Sequence, residues 1–260
     1  MKVSVTINVD TRDGFEQPQS EANGLFSGCK SKDFLIEGVK NKIKFFDGFD
    51  KEIIVFVDVH QQVPIDVLQE LQGIADTVVL RKHTNEPLFN DYNYLRTLQM
   101  ASGDIICHTD QDTAAFVPNK NGVDLLIKYL DDYKYVSYPS YWHPAPVDDS
   151  TFNYRWVSTR FFMCKKETLD FEEIKRCFDY DYYRTKYNPS RVCGWMEHWL
   201  GNIAGSSVMY PPLQKDYLIF CWNNYKVGVL EQLNNMTFDE VVNFVNSNGG
   251  LHYPCDLTLK

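Results

Sequence analysis

Between residues 3 and 109 the chain enters a strand pattern four times and a helical pattern three times, in strict alternation. The strand patterns are VSVTINV (3–9), EIIVFVDV (52–59), TVVLRK (77–82) and DIICHT (104–109). Between them lie DFLIEGVKNKIKFF (33–46), PIDVLQELQGIA (64–75, with Pro in its first turn) and NDYNYLRTLQMA (90–101), each with apolar residues at helical spacing. A helix between two strands carries the chain back along the sheet, so successive strands come to lie parallel and the helices cover both faces. The expectation is an α/β fold: a mixed, mostly parallel central sheet flanked by helices, in a single domain. In open sheets of this kind ligands sit beyond the carboxyl ends of the strands.

The second half is less regular. The pattern predicts a helix over 119–132, a strand over 134–138, an aromatic-rich loop (YPSYWHPAPVDD) and a strand over 157–165. Helices follow near 167–178 and 191–203, then an apolar segment at 217–222, a helix near 237–247 and a Gly-Gly turn. The polar stretch from 10 to 32 is long for a compact fold, a length more often functional than idle.

Carboxylates mark the strand ends. Asp10, Asp58, Asp110 and Asp112 each fall at or just past the end of a predicted strand. The sharpest case is GDIICHTDQDTAAF (103–116), where an apolar run closes on Asp110-Gln111-Asp112. Side chains alternate across a strand, so the two carboxylates share a face if the strand continues that far. Like charges held close repel unless a cation lies between them, and a hard divalent ion such as Mn²⁺ or Mg²⁺ has the right ligand preference. The competing reading is a turn or helix cap, which Asp also favours. A second Asp-x-Asp, Asp179-Tyr-Asp181, has no apolar strand before it and reads as a solvated helix or loop face.

Composition closes off other classes. A net charge of −9 disfavours a nucleic-acid binder, which needs a basic footprint. The longest apolar runs are too short to cross a bilayer, so no integral membrane association is expected. Seven cysteines, scattered and without a CxxC pair, make neither a disulfide framework nor a zinc site. With no apolar leader after Met1, the expectation is reduced thiols in a cytoplasmic protein, and no use of the Asn235-Met-Thr237 sequon.

The succession EIIVFVDV, VVLRK and NDYNYLRTLQMASGDIICHTDQD resembles the nucleotide-sugar-binding half of GT-A fold glycosyltransferases, in particular the large family-2-like group. Ala101-Ser-Gly-Asp104 and Asp110-Gln-Asp112 carry the likeness, which covers residues 3 to 116. Beyond it, VSTRFFMCKKETL and GWMEHWLG are similar to acceptor-side segments of the family.

The resemblance implies a Rossmann-like GT-A fold, with residues 1–116 as the nucleotide-sugar half and 117–260 as the acceptor half and tail. It implies a hexosyl or deoxyhexosyl transferase, moving a sugar from a UDP- or GDP-linked donor to a glycan or other hydroxyl acceptor with inversion. Asp112 would chelate the metal and Asp110 would lie nearer the ribose. Asp58 and the Val9–Asp10 region would embrace the base with Arg81 nearby, and Asp91 and Gln111 fall on the donor side. The family's x-Glu-Asp base motif is met by Met196-Glu197-His198, a departure that leaves Glu197 or His198 as the base. His252 stands where some members place a late metal ligand, and Trp142, His143 and Trp195 are candidates to stack on sugar rings.

Other classes fit less well. The phosphohydrolase motif requires Thr one position later than Thr113 and comes from the first strand. A nucleotidyltransferase lacks its Gly-rich basic loop here and stands as the enzyme alternative. A non-catalytic nucleotide- or carbohydrate-binding protein is the alternative from another class, and His198 in place of Asp is the feature that favours it.

Overall fold

The computed structural model describes residues 1–11, 32–59, 62–82, 87–111, 113–116, 121–137, 157–187, 196–209, 218–221, 229–233 and 235–247. Within them lie β1 (Lys2–Asp10), α1 (Lys32–Phe45), β2 (Asp50–Val59), α2 (Ile65–Ile74), β3 (Thr77–Lys82), α3 (Pro87–Met100) and β4 (Ile105–Asp110). There follow β5 (Thr113–Phe116), α4 (Asn121–Tyr129), β6 (Tyr135–Ser137), β7 (Phe161–Lys165), α5 (Phe171–Arg176), α6 (Tyr180–Tyr187) and α7 (Met196–Ala204). The last elements are β8 (Val208–Met209), β9 (Leu218–Cys221), α8 (Val229–Leu233) and α9 (Phe238–Ser247). Seven strands form one sheet in the order β3-β2-β1-β4-β7-β6-β8, and β5 pairs with β9 in a second, two-stranded sheet. Only β7 runs against the others of the large sheet. The architecture is therefore the mixed, mostly parallel, helix-flanked sheet expected of a GT-A fold.

Helices cover both faces of the sheet. On one face the odd-numbered residues of β1 (Val3, Val5, Ile7, Val9) pack with Phe34, Leu35 and Val39 of α1, Leu71 of α2 and Leu126 of α4. On the other, Ile54 and Phe56 of β2 and Ile106 of β4 pack with Leu95 and Leu98 of α3, Ile174 of α5 and Trp199 of α7. Each apolar residue buried here contributes about 1.5–3 kcal/mol, which makes two-sided burial the main stabilising term.

Local chemistry explains the ends. Thr237 and Glu240 form a reciprocal capping box, Thr237 N donating to Glu240 Oε2 (2.7 Å) and Glu240 N to Thr237 Oγ1 (3.4 Å). The threonine of the sequon is thus a helix cap. Asp179 Oδ1 accepts from the backbone N–H of Asp181 and Tyr182, so the second Asp-x-Asp begins α6.

The corner after α3 sets the register of the site's strands. Gly103 lies so close to β1 that a Cβ there would stand 2.7 Å from Lys2 O and 2.7 Å from Ser4 N. Its N–H donates to Ser4 Oγ (2.7 Å), Ser102 and Ser4 both donate to Glu52, and Asp104 N donates to Lys2 O (2.8 Å). The Ala-Ser-Gly-Asp motif is thereby a clamp on the amino end of β1. It fixes Val3 opposite Ile105, and five steps on, Asn8 opposite Asp110.

Two expectations need correction. The strand does not run through the Asp-x-Asp. β4 ends at Asp110, Gln111 lies in a turn, and Thr113 begins a strand of the other sheet, so shared-face alternation does not relate Asp110 to Asp112. The helix expected over 167–178 is a single 3-10 turn (Lys166–Thr168) followed by α5, because Asp170 caps a new helix, its side chain accepting from Glu173 N. Among the described residues no helix is long and apolar enough to cross a membrane.

Candidate functional site

A cavity of about 230 Å³ opens at the carboxyl edge of the large sheet. Its floor is set by strand register. In the ladders Asn8 stands opposite Asp110, and Asp58 opposite Arg81, all on the face that α3 and α7 cover. α3 contributes Asp91, Asn93 and Tyr94, the turn before β7 contributes Thr159, and the start of α7 contributes Met196 and Glu197.

The floor is one hydrogen-bonded chain. Arg81, 7% exposed, donates through Nε to Asp58 Oδ1 at 2.8 Å and through a terminal nitrogen to Asn8 Oδ1. Asn8 Nδ2 donates in turn to Asp110 Oδ1 (3.3 Å). The guanidinium also lies 5.4 Å from the ring centre of Phe56 and 5.7 Å from that of Tyr94, within reach of a cation–π contact with each. Asp58 and Asp110 are thereby tied into a single rigid strip. Thr11 Oγ1 donates to Asp58 O (2.6 Å) and secures the exit of β1 to β2.

Beneath the strip sits His108, fully buried, with Nδ1 bonded to Thr6 Oγ1 at 2.8 Å and its ring 4.6 Å from that of Tyr94. Burial, and then the charge of Arg81, hold the imidazole pKa well below its ordinary value, so the ring is neutral.

The wall opposite carries two acids. Glu197 Oε1 accepts from Thr159 Oγ1 (2.7 Å) and Thr159 N (3.3 Å), and burial raises its pKa against those bonds. Asp91 is pushed up to about 7, first by burial and further by the charge of Glu197, although the Met196 N–H donates to it. That bond caps the start of α7 from a different helix. A carboxylate held near neutrality in a cavity is equipped to exchange a proton.

The structure gathers Asp58, Arg81, Asp91, Asp110 and Glu197 around one space. Gln111 is buried beside it, its N–H donating to Asn8 O (2.9 Å). The backbone of Asp10 pairs with Asp58, while the Val9 side chain is buried in the apolar core of the opposite face. His198 is 5% exposed and does not line the cavity, as the helical turn from Glu197 requires. Asp112, Trp142, His143, Trp195 and His252 lie outside the described residues.

Sequence reasoning passed over Asn8, Lys82, Asn93, Tyr94 and Thr159. Asn8 had a signal, a polar residue near the end of a strand buried on both faces. Thr159 had none, since only the reversed β7 brings it to the edge.

No family model matches the chain, and no curated protein matches it. Among solved structures it is similar to the galactosyltransferase LgtC in complex with donor and acceptor sugar analogs (10% identity, TM-score 0.48, 80% of this chain and 72% of that one). It is similar as well to mannosyltransferase PcManGT from Pyrobaculum calidifontis in complex with GDP-Man and Mn²⁺ (16%, 0.42, 81% and 54%). A cytidylyltransferase from Leptospira borgpetersenii is a further neighbour (12%, 0.47, 100% and 99%). At these identities and scores the likenesses do not decide between two kinds of transferase. The residues of the cavity have to do so.

Proposed function

We propose that the chain is a metal-dependent glycosyltransferase that moves a sugar from a nucleoside-diphosphate donor, UDP- or GDP-linked, to an acceptor hydroxyl, with inversion. One observation carries the reading. The cavity at the strand ends is lined by four acids (Asp58, Asp91, Asp110, Glu197) against two bases, and Arg81 is already engaged by Asp58. A diphosphate enters such a space only with a cation to neutralise it.

Asp110 suits that ion, being a hard oxygen donor on the cavity edge. Among the described residues no three His, Cys, Asp or Glu side chains gather into a metal-holding group. Mg²⁺ does not demand one: a carboxylate or two, with water and substrate phosphate, completes its shell. Asp112 is the proposed second carboxylate, and His252 a proposed late ligand. When bound, Mn²⁺ or Mg²⁺ supplies Lewis-acid stabilisation of the leaving diphosphate.

The chain's own residues do the rest. The Asp58–Arg81 pair, with the Val9–Asp10 backbone, Gln111 and Asp91, orients the nucleotide. Glu197, raised by burial and aimed by Thr159, takes the proton of the acceptor hydroxyl, and Trp142, His143 and Trp195 are proposed to pack on sugar. Residues 1–116 act as the donor half and 117–260 as the acceptor half of one domain. A cytoplasmic setting belongs to the same proposal, and the free, buried thiols of Cys107, Cys164 and Cys177 fit it.

Titration calorimetry of the chain with UDP and with GDP, in Mn²⁺ and in EDTA, tests the reading. Binding of one nucleotide only in Mn²⁺ is expected. Binding of neither would overturn it, and tight binding of CTP instead would move the assignment to a nucleotidyltransferase.

A further inference from the structure

One lysine lies where a core helix ordinarily presents an apolar side chain. Lys42 of α1 is 1% exposed, among buried Ile36, Val39 and Phe45 of the same helix. Lysine is almost never fully buried unless its amine is used, since leaving water costs several kcal/mol. Here Nζ donates to Gln111 O (3.0 Å) and also to Thr113 O. Those carbonyls belong to the two residues that flank Asp112 in sequence.

The place has a topological meaning. The chain leaves the large sheet at Asp110 and joins the small one at Thr113, so Gln111 belongs to the ladder of neither sheet. β1 holds one side, with Gln111 N donating to Asn8 O, and the turn before β7 holds another, with Asp110 N and Thr113 Oγ1 both donating to Arg160 O at 3.1 Å. Lys42 reaches the connection from α1, on the face of the sheet opposite the cavity. A methionine or leucine there would fill the same volume but leave two buried carbonyls without that donor.

We propose that Lys42 is a positioning residue: by clamping the backbone on both sides of Asp112 it fixes the end of β4 that presents Asp110 to the metal and diphosphate. This rests on the glycosyltransferase reading above, and its test is separable from it. The variant is Lys42→Met, compared with Val39→Ala, which thins the same helix without touching the turn.

Two quantities are read on the full chain. The first is hydrogen exchange of the segment 105–116 against that of 3–9, which needs no ligand. The second is the gain in UDP or GDP affinity that Mn²⁺ confers, by calorimetry. Lys42→Met is expected to speed exchange in 111–116 alone and to cut the Mn²⁺-dependent gain by about tenfold or more, the scale seen when a group supporting a metal ligand is lost. Val39→Ala is expected to lower the melting temperature, with any change of exchange shared by 3–9 and 105–116, and to leave the Mn²⁺-dependent gain alone.

A folded Lys42→Met with the full Mn²⁺-dependent gain overturns the proposal, as does an equal loss in Val39→Ala. If Lys42→Met does not fold, Lys42→Gln, whose uncharged amide stops one bond short of the lysine amine and so weakens the clamp, is read in its place by the same criteria. Wild-type chain with no Mn²⁺-dependent nucleotide binding overturns the glycosyltransferase reading instead, and exchange alone then decides whether Lys42 holds the turn.

Discussion

The two faces of β1 have divided labour. Val3, Val5, Ile7 and Val9 point to one side and are fully buried in an unbroken apolar cluster. Ser4, Thr6 and Asn8 point to the other, and Ser4 and Thr6 are equally buried. Strands covered on both faces ordinarily read as continuous apolar runs, as Ile53 to Val57 of β2 does. β1 departs because its polar face binds sideways rather than packs. Ser4 joins Glu52 and Gly103, Thr6 joins His108, and Asn8 joins Arg81 and Asp110. The bonds pass from clamp to site as the strand runs to its carboxyl end. One face holds the fold, and the other aligns the carboxylates.

The division breaks most sharply where chemistry is asked of the polar side. Glu197→Gln keeps size and a bond with Thr159 but removes the proposed base. Turnover is expected to fall about 10²–10⁴-fold with nucleotide affinity and melting temperature nearly unchanged. Activity retained in that variant would deny Glu197 the role. With Glu197 as the proposed base, the acid limb of the rate profile is expected above the ordinary glutamate range, since burial raises its pKa and only the carboxylate accepts a proton.

Gly103→Ala probes the clamp at the far end. A Cβ at 2.7 Å from two backbone atoms of β1 cannot be relieved by a side-chain rotation, so the strands must part. The expected cost is about 1–3 kcal/mol or more, read by denaturant unfolding. Weakened nucleotide binding should come with it, because the register that sets Asn8 against Asp110 starts there. Val5→Ala on the apolar face is the mirror experiment. It removes about two methylenes' worth of burial, roughly 2 kcal/mol, and should leave kcat and KM where they were. If both variants lose activity in proportion to stability, the two faces are not functionally distinct.

Much of this was legible in the sequence. Alternating patterns predicted β1 to β4 and their parallel order, since each helix between them is long enough to cross back. Asp58 and Asp110 could be named because the end of an apolar strand pattern puts them at the carboxyl edge, whereas Arg81 was named from the family resemblance alone. The second half was harder to read for a physical reason. β6, β7 and β8 are short, and β7 is reversed, so periodicity neither fixes their order nor brings Thr159 to Glu197. Lys42 was hidden by its own pattern, since NKIKF reads as the solvated flank of an amphipathic helix. Nothing local announces that one of its lysines is satisfied by carbonyls about 70 residues on. The shared-face argument for Asp110 and Asp112 failed because a strand end is invisible to alternation alone.

The smallest effect tests whether the cavity's acids are coupled to the fold. The Asp91 carboxyl is pushed up to about 7, first by burial, whereas in the unfolded chain it titrates near 4. The folded chain therefore binds that proton more tightly. Its contribution is whole below about pH 4 and is lost as pH rises, with the full loss reached above about 7. Complete linkage over that span would amount to about 4 kcal/mol, but Asp91 lines an open cavity, so screening by water brings the expected effect nearer 1 kcal/mol. Asp91→Asn cannot ionise and still offers an oxygen to the Met196 N–H. It should melt about 2–4 °C above the wild type at pH 8 and show no such advantage at pH 5. Parallel melting profiles of the two proteins across that range would mean that Asp91 is ionised throughout, as an ordinary surface carboxylate is.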